Sequence, residues 1–157
     1  MQKYLLLLWA LIFGSHYLCA QKTEYFTGGE KYKNVWIDFY NGDHEPELDD
    51  PLIAAGKQMT KAICEAIMHK DLKYRRYAIG AIGFIGDKKA IPTLEIIFRD
   101  TTEIDYFRGD ALQAIYCIDE KLGMVYAGKL QSTNKYLRMI ATAIMNKKEW
   151  LCEPSEE

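Results

Sequence analysis

The chain has 157 residues, 49% of them hydrophobic, with 20 basic and 22 acidic side chains. That is one domain's worth of sequence with enough apolar material to bury a core. Its net charge of −2, with basic residues scattered among acids, leaves no footprint for nucleic acid.

The N-terminus carries Lys3, then the ten-residue apolar run LLLLWALIFG from Leu5 to Gly14, then SHYLCA ending at Ala20. A basic start, a short apolar core and a small residue before the break describe a secretory signal peptide over residues 1–20. The run is well short of the roughly 20 residues that a membrane helix needs. A lipid attachment at Cys19 is disfavoured because Leu18, not a small residue, precedes it. The expectation is an exported protein, periplasmic or extracellular, cleaved near Ala20 and with no membrane span left in the mature chain.

Residues 21–50 form an acidic, aromatic N-terminal arm with three lysines against eight acids. Turn signals at Thr27 to Gly29 and Asn41 to Asp43 bracket VWIDFY, which reads as a short strand or one helical turn. The arm is expected to be irregular, with Trp36, Phe39 and Tyr40 packed as a cap on the first helices. The acidic run Asp43 to Asp50 lacks the ligand spacing and central glycine of a calcium loop and reads as a solvated loop. Asp50 before Pro51 is a helix start.

From Pro51 onward only helical periodicity remains. The pattern predicts helices at about 51–56, 59–69, 73–85, 89–99, 107–118, 122–130 and 136–147. Residues 51–148 hold 16 basic and 10 acidic residues; the tail, 149–157, holds four acids and no base.

A repeat runs through this region. With Arg75 laid on Arg108, Ala78 meets Ala111, Ala81 meets Ala114, Ile82 meets Ile115 and Ile85 meets Ile118, an offset of 33 residues. A truncated third copy, KYLRMIATAIM, puts Arg138 thirty residues beyond Arg108. One helix pair per such period is the mark of a helical solenoid. The unit from Tyr74 to Leu94 resembles the HEAT-like repeat of the phycobilisome-lyase type through Arg75, Ala78, Ala81, Gly83, Gly86-Asp87, Ala90-Ile91-Pro92 and Leu94. The second copy departs from that pattern, with Gln113 and Tyr116 where Gly80 and Gly83 stand and Val125 for Pro92. The resemblance implies an all-α fold: a short right-handed α-solenoid of antiparallel helix pairs over residues 51–148 that binds partners. It carries no lyase activity, because the shared residues are repeat framework.

Gly80, Gly83 and Gly86 lie within and at the end of a helix, whereas a phosphate loop needs a strand before its glycines and a helix after them. At about 100° per residue from Ala78, Ile82, Ile85 and Ala81 cluster on one face, and Gly80 and Gly83 fall about 200° and about 140° away. Two readings stay open: close approach by a neighbouring helix, or a shallow groove for a partner. Gly86 is a helix stop.

Arg75, Arg108 and Arg138 each follow an acid or amide, Asp71, Asp105 and Asn134, and such a ladder ties one repeat to the next. Where one is free, Tyr74, Tyr106 and Tyr136 with these arginines form a contact stripe, since Tyr and Arg are enriched at binding hot spots. Tyr126 belongs with Thr93, Glu95 and Lys129 on second helices, where solenoids bind. The candidate partner-binding set is therefore Tyr74, Arg75, Gly80, Gly83, Tyr106, Arg108, Gln113, Tyr116, Tyr126, Tyr136 and Arg138.

Three cysteines follow the signal. Cys64 and Cys117 sit in apolar helical patterns and read most simply as buried thiols; if any pair forms, it is Cys117 with Cys152, because the tail can fold back. No cysteine lies near a histidine, so no metal is expected, and no cofactor motif is present. His44 and His69 have no nucleophile placed beside them, so no catalytic residue is assigned. The functional expectation is a protein-binding module: an adaptor, inhibitor or immunity-type binder. An enzyme or lyase-like enzyme subunit is the alternative.

Overall fold

A computed structural model of the protein describes residues 22–42 and 50–152. The expected signal peptide over residues 1–20, His44 with the acidic run 43–49, and residues 153–157 lie outside the described residues. The fold is all-α, with no strand among the described residues.

Eight α-helices follow in chain order: α1 (Lys33–Asn41), α2 (Asp50–Ala55), α3 (Thr60–Ala66), α4 (Arg75–Ile85), α5 (Ile91–Arg99), α6 (Asp105–Ile118), α7 (Glu120–Lys129) and α8 (Lys135–Met145). Helices α2 to α8 are the seven that the periodicity predicts, shifted by no more than a few residues at each end. A 3-10 turn, Lys88–Ala90, leads into α5, and Asp87 caps it by accepting from the Lys89 amide at 3.1 Å. Gly86 adopts φ 68°, ending α4 in the left-handed region that glycine enters freely.

The arm is more ordered than expected. Instead of an irregular segment it holds the nine-residue helix α1, because Trp36, Phe39 and Tyr40 stand at i, i+3 and i+4 and so share one helical face. All three are buried. They contact one another edge-on or stacked, and Phe39 meets Tyr74 edge-on at 6.3 Å. The strand-like residues before α1 tie down the turn ahead of α4: Thr23 N donates to Asp71 O at 2.8 Å and Lys73 N donates to Thr23 O at 2.9 Å. Tyr74 pays for this arrangement with φ 59°, a conformation that costs an aromatic residue roughly 1–2 kcal/mol.

Packing follows chain order. Helix α6 lies against α4, α5, α7 and α8; α8 also packs on α7, and α4 on α2 and α3. The face of α4 foreseen as buried, Ala78, Ala81, Ile82 and Ile85, is buried. The buried arc is wider than foreseen, however, and takes in Ile79 and Gly83, because α6 covers the flank. A Cβ on Gly83 would lie 2.9 Å from Ala114 Cα and 3.0 Å from Ala114 Cβ. Gly83 thus serves close helix approach.

After α8 the chain turns back through a 3-10 turn, Glu149–Leu151, and Cys152 forms a disulfide with Cys117, Cα to Cα 5.4 Å. That is the pairing favoured from the sequence, and it displaces the simpler reading of Cys117 as a buried thiol. Cys64 is free and half-buried, and burial pushes its thiol pKa up. A disulfide is consistent with an oxidising, extracytoplasmic compartment. No helix among the described residues is long and apolar enough to cross a membrane.

Candidate functional site

The arginine ladder is interior work at two of its three rungs. Arg75, 3% exposed, donates from Nε to the Ile67 carbonyl at 2.7 Å and from Nη1 to Glu103 Oε2 at 2.8 Å. Its guanidinium also lies over the Phe107 ring, 4.8 Å from the centroid. Arg108 repeats the first of these contacts, Nε to the Phe98 carbonyl at 3.1 Å, and pairs with Asp105 at 2.9 Å. Each guanidinium thus takes a carbonyl near the end of the preceding helix, where the backbone has no partner of its own. Asp71 does not pair with Arg75; it accepts from Thr23 Oγ1 at 2.6 Å and Tyr25 OH at 3.0 Å instead. Asn134 caps α8 through the Tyr136 and Leu137 amides, and Arg138 is exposed.

Two of the stripe tyrosines do come together. Tyr106 and Tyr136 lie with ring centroids 4.6 Å apart, because the starts of α6 and α8 are neighbours. Room for Tyr136 comes from Gly109, where a Cβ would stand 2.5 Å from the Tyr136 ring. Beside both rings lies an arginine that the ladder passes over. Arg76 lies 5.6 Å from the Tyr106 ring centroid and 5.4 Å from that of Tyr136. Its Nε donates to Asp110 Oδ2 at 2.8 Å, and its Nη2 donates to Tyr136 OH at 2.7 Å. Tyr136 OH in turn donates to Asp110 Oδ1 at 2.5 Å.

Asp110 is buried, and burial raises its pKa despite the opposing pull of Arg76 and Tyr136. Burial and the neighbouring Asp110 charge raise the Tyr136 phenol further. The result is a fixed cluster: an interior carboxylate with both oxygens engaged, holding an arginine and a tyrosine in set orientations. Tyr106 is 54% exposed beside it, and Ile104 57%.

Below this cluster a cleft of about 290 Å³ runs between α4 and α6. Gly80, Gly83 and Ala114 line it between Arg76 and Asp110 at the helix starts and Gln113, Cys117 and Leu151 towards the other end. Gly80 is half-buried. Gln113 Nε2 donates to the Leu151 carbonyl at 2.7 Å. The two glycines therefore divide the roles proposed for them: Gly83 is pressed by α6, and both line a groove.

The other candidates lie elsewhere. Tyr74 packs between Phe39 and Tyr77. Tyr116 is buried, its backbone against Gly123 of α7. Tyr126 stacks on Phe98 with ring centroids 5.7 Å apart, donates to Glu95 and accepts from Arg99 Nη2 at 2.9 Å. It forms a small separate surface with Lys129, which lines the same shallow depression.

Arg76 and Asp110 are the residues that periodicity missed. Arg76 stands directly after the ladder arginine, and Asp110 interrupts the run between Gly109 and Ala111, an acid next to a buried alanine. That acid was the available signal. No protein-family model, curated protein or solved structure matches this chain.

Proposed function

We propose that the chain is an exported protein-binding module: a short right-handed α-solenoid of HEAT-like helix pairs that acts as an adaptor, inhibitor or immunity-type binder in the periplasm or cell envelope. The solenoid reading is supported by packing in chain order and by the equivalent contacts of Arg75 and Arg108, one repeat apart, with the end of the preceding helix. The observation that carries the binding reading is the Arg76–Tyr106–Tyr136 cluster. Arginine and tyrosine held in place before a partner arrives lose little freedom on binding, the property of interface hot spots.

Affinity capture of the tagged protein from its own envelope fraction, read by mass spectrometry, tests this. The expected result is one stoichiometric protein that Tyr106→Ala and Arg76→Ala release. Recovery of a chromophore or metabolite in place of a protein would sink it.

The enzyme reading is favoured by one observation, a carboxylate of raised pKa beside a cleft. Against it, both oxygens of Asp110 are tied to Arg76 and Tyr136. A substrate would have to displace that phenol before meeting a base.

A further inference from the structure

The C-terminal segment shows how this face of the molecule accepts a chain. Leu151 is fully buried, its carbonyl sits on the Gln113 amide, and Cys152 is bonded to Cys117. Leu151, Gln113 and Cys117 also line the α4/α6 cleft. The cleft therefore continues from the place where one residue of the last turn, Leu151, is already lodged. The lodged residue contributes an apolar side chain and a backbone carbonyl.

The open part offers the same two things. Gly80 and Gly83 leave an apolar floor without side chains, with Tyr77 and Phe84 alongside. At its far end Arg76 uses Nε and Nη2 on Asp110 and Tyr136, and its Nη1 makes no hydrogen bond among the described residues. From residue 76 to residue 84, α4 advances about 12 Å, a distance that three to four extended residues span.

We propose that this open groove binds a short extended apolar segment of the protein partner, end to end with the chain's own Glu149–Leu151. A leucine-sized side chain rests over Gly80 and Gly83, and a main-chain carbonyl accepts from Arg76 Nη1. The proposal rests on the protein-binding reading and names the part of the partner that is read.

The test uses the protein purified from an exporting host with its disulfide intact, labelled with ¹⁵N. The probe is the capped tripeptide Ac-Glu-Trp-Leu-NH2, the sequence of the turn whose leucine is lodged beside the cleft. Saturable shifts are expected at the amides of Gly80, Gly83 and Gln113. Affinity should fall about tenfold or more for Ac-Glu-Trp-Ala-NH2, which lacks the leucine, and by a similar factor for the Gly80→Leu protein, whose groove is filled. Gly80→Ala, which favours the helix, serves if Gly80→Leu fails to fold, with a smaller loss of affinity. No saturable shift at millimolar peptide, or shifts that the folded Gly80 variant leaves unchanged, overturns the proposal. A captured partner that still binds Gly80→Leu but not Tyr106→Ala overturns the groove and leaves the protein-binding reading standing. Failure to capture any protein overturns both.

Discussion

At the N-terminal end of the described chain, Trp36, Phe39 and Tyr40 bury three aromatic rings against α2 and the start of α4. At the C-terminal end, Leu151 alone of the final turn is buried, and a disulfide and one side-chain amide hold it. The first end is closed by area removed from water, which contributes roughly in proportion to the apolar surface covered. The second is closed chiefly by a covalent constraint on the unfolded chain. Little apolar surface is then needed there, and Trp150 stays 51% exposed. The two ends should accordingly fail under different insults.

The largest effect is expected from Trp36→Ala. It removes a fully buried indole that donates to the Thr27 carbonyl at 3.0 Å, and large-to-small changes of this kind cost about 3–5 kcal/mol. Urea unfolding followed by circular dichroism measures it. A loss below about 1 kcal/mol would mean that α1 is an ornament on the fold.

Reducing the disulfide, or Cys152→Ser, should cost about 2–4 kcal/mol for a sequence separation of 35 residues. The check is the melting temperature with and without a dithiol. An unchanged melting temperature would show that Leu151 and Gln113 suffice without the covalent bond.

Between the two ends, the cleft glycines give opposite signs. Gly83→Ala must push α6 away from a 2.9 Å contact, at about 1–3 kcal/mol for overpacking. Gly80→Ala should be neutral or stabilise by up to about 1 kcal/mol through helix propensity. If both variants destabilise equally, the groove at Gly80 is closed.

The smallest effect is acid loosening of the N-terminal end. Hydroxyls of Thr23 and Tyr25 hold Asp71 below the usual carboxylate range. A lowered carboxylate pKa contributes stability that is present above the unfolded value, near pH 4. That stability is lost as pH falls through the folded value. Below about pH 4 the emission of buried Trp36 should shift to the red while Trp150, exposed throughout, stays where it is. A shift that begins at neutral pH would contradict the role given to Asp71.

The positions of α2 to α8 were legible because each is a short apolar stripe of helical period between turn residues, and periodicity carries that information. The pairing of Cys117 with Cys152 was legible because few cysteines follow residue 20 and one of them is near the C-terminal end. Helix α1 was not read in full: six residues between turn signals fit a strand as well as a turn of helix, and burial of three aromatic faces decided it. The site was legible only by halves. Tyr106 and Tyr136 each stand two residues before an arginine, so their likeness could be seen. Arg76 meets Asp110 across 34 residues, and Arg75 meets Glu103 across 28. Those pairings depend on the register between helices, and the period of a single helix holds no record of it.

The disulfide has one further consequence. Helices α7 and α8 both lie inside the covalent ring that it closes between Cys117 and Cys152. A protease outside the cytosol that cuts a loop within that ring, such as the stretch between Lys129 and Lys135, leaves its two products joined. The nicked chain keeps its end with the rest of the protein and can re-form the same contacts. A cut between α5 and α6 has no such tether, so resistance to nicking is unevenly distributed along the molecule.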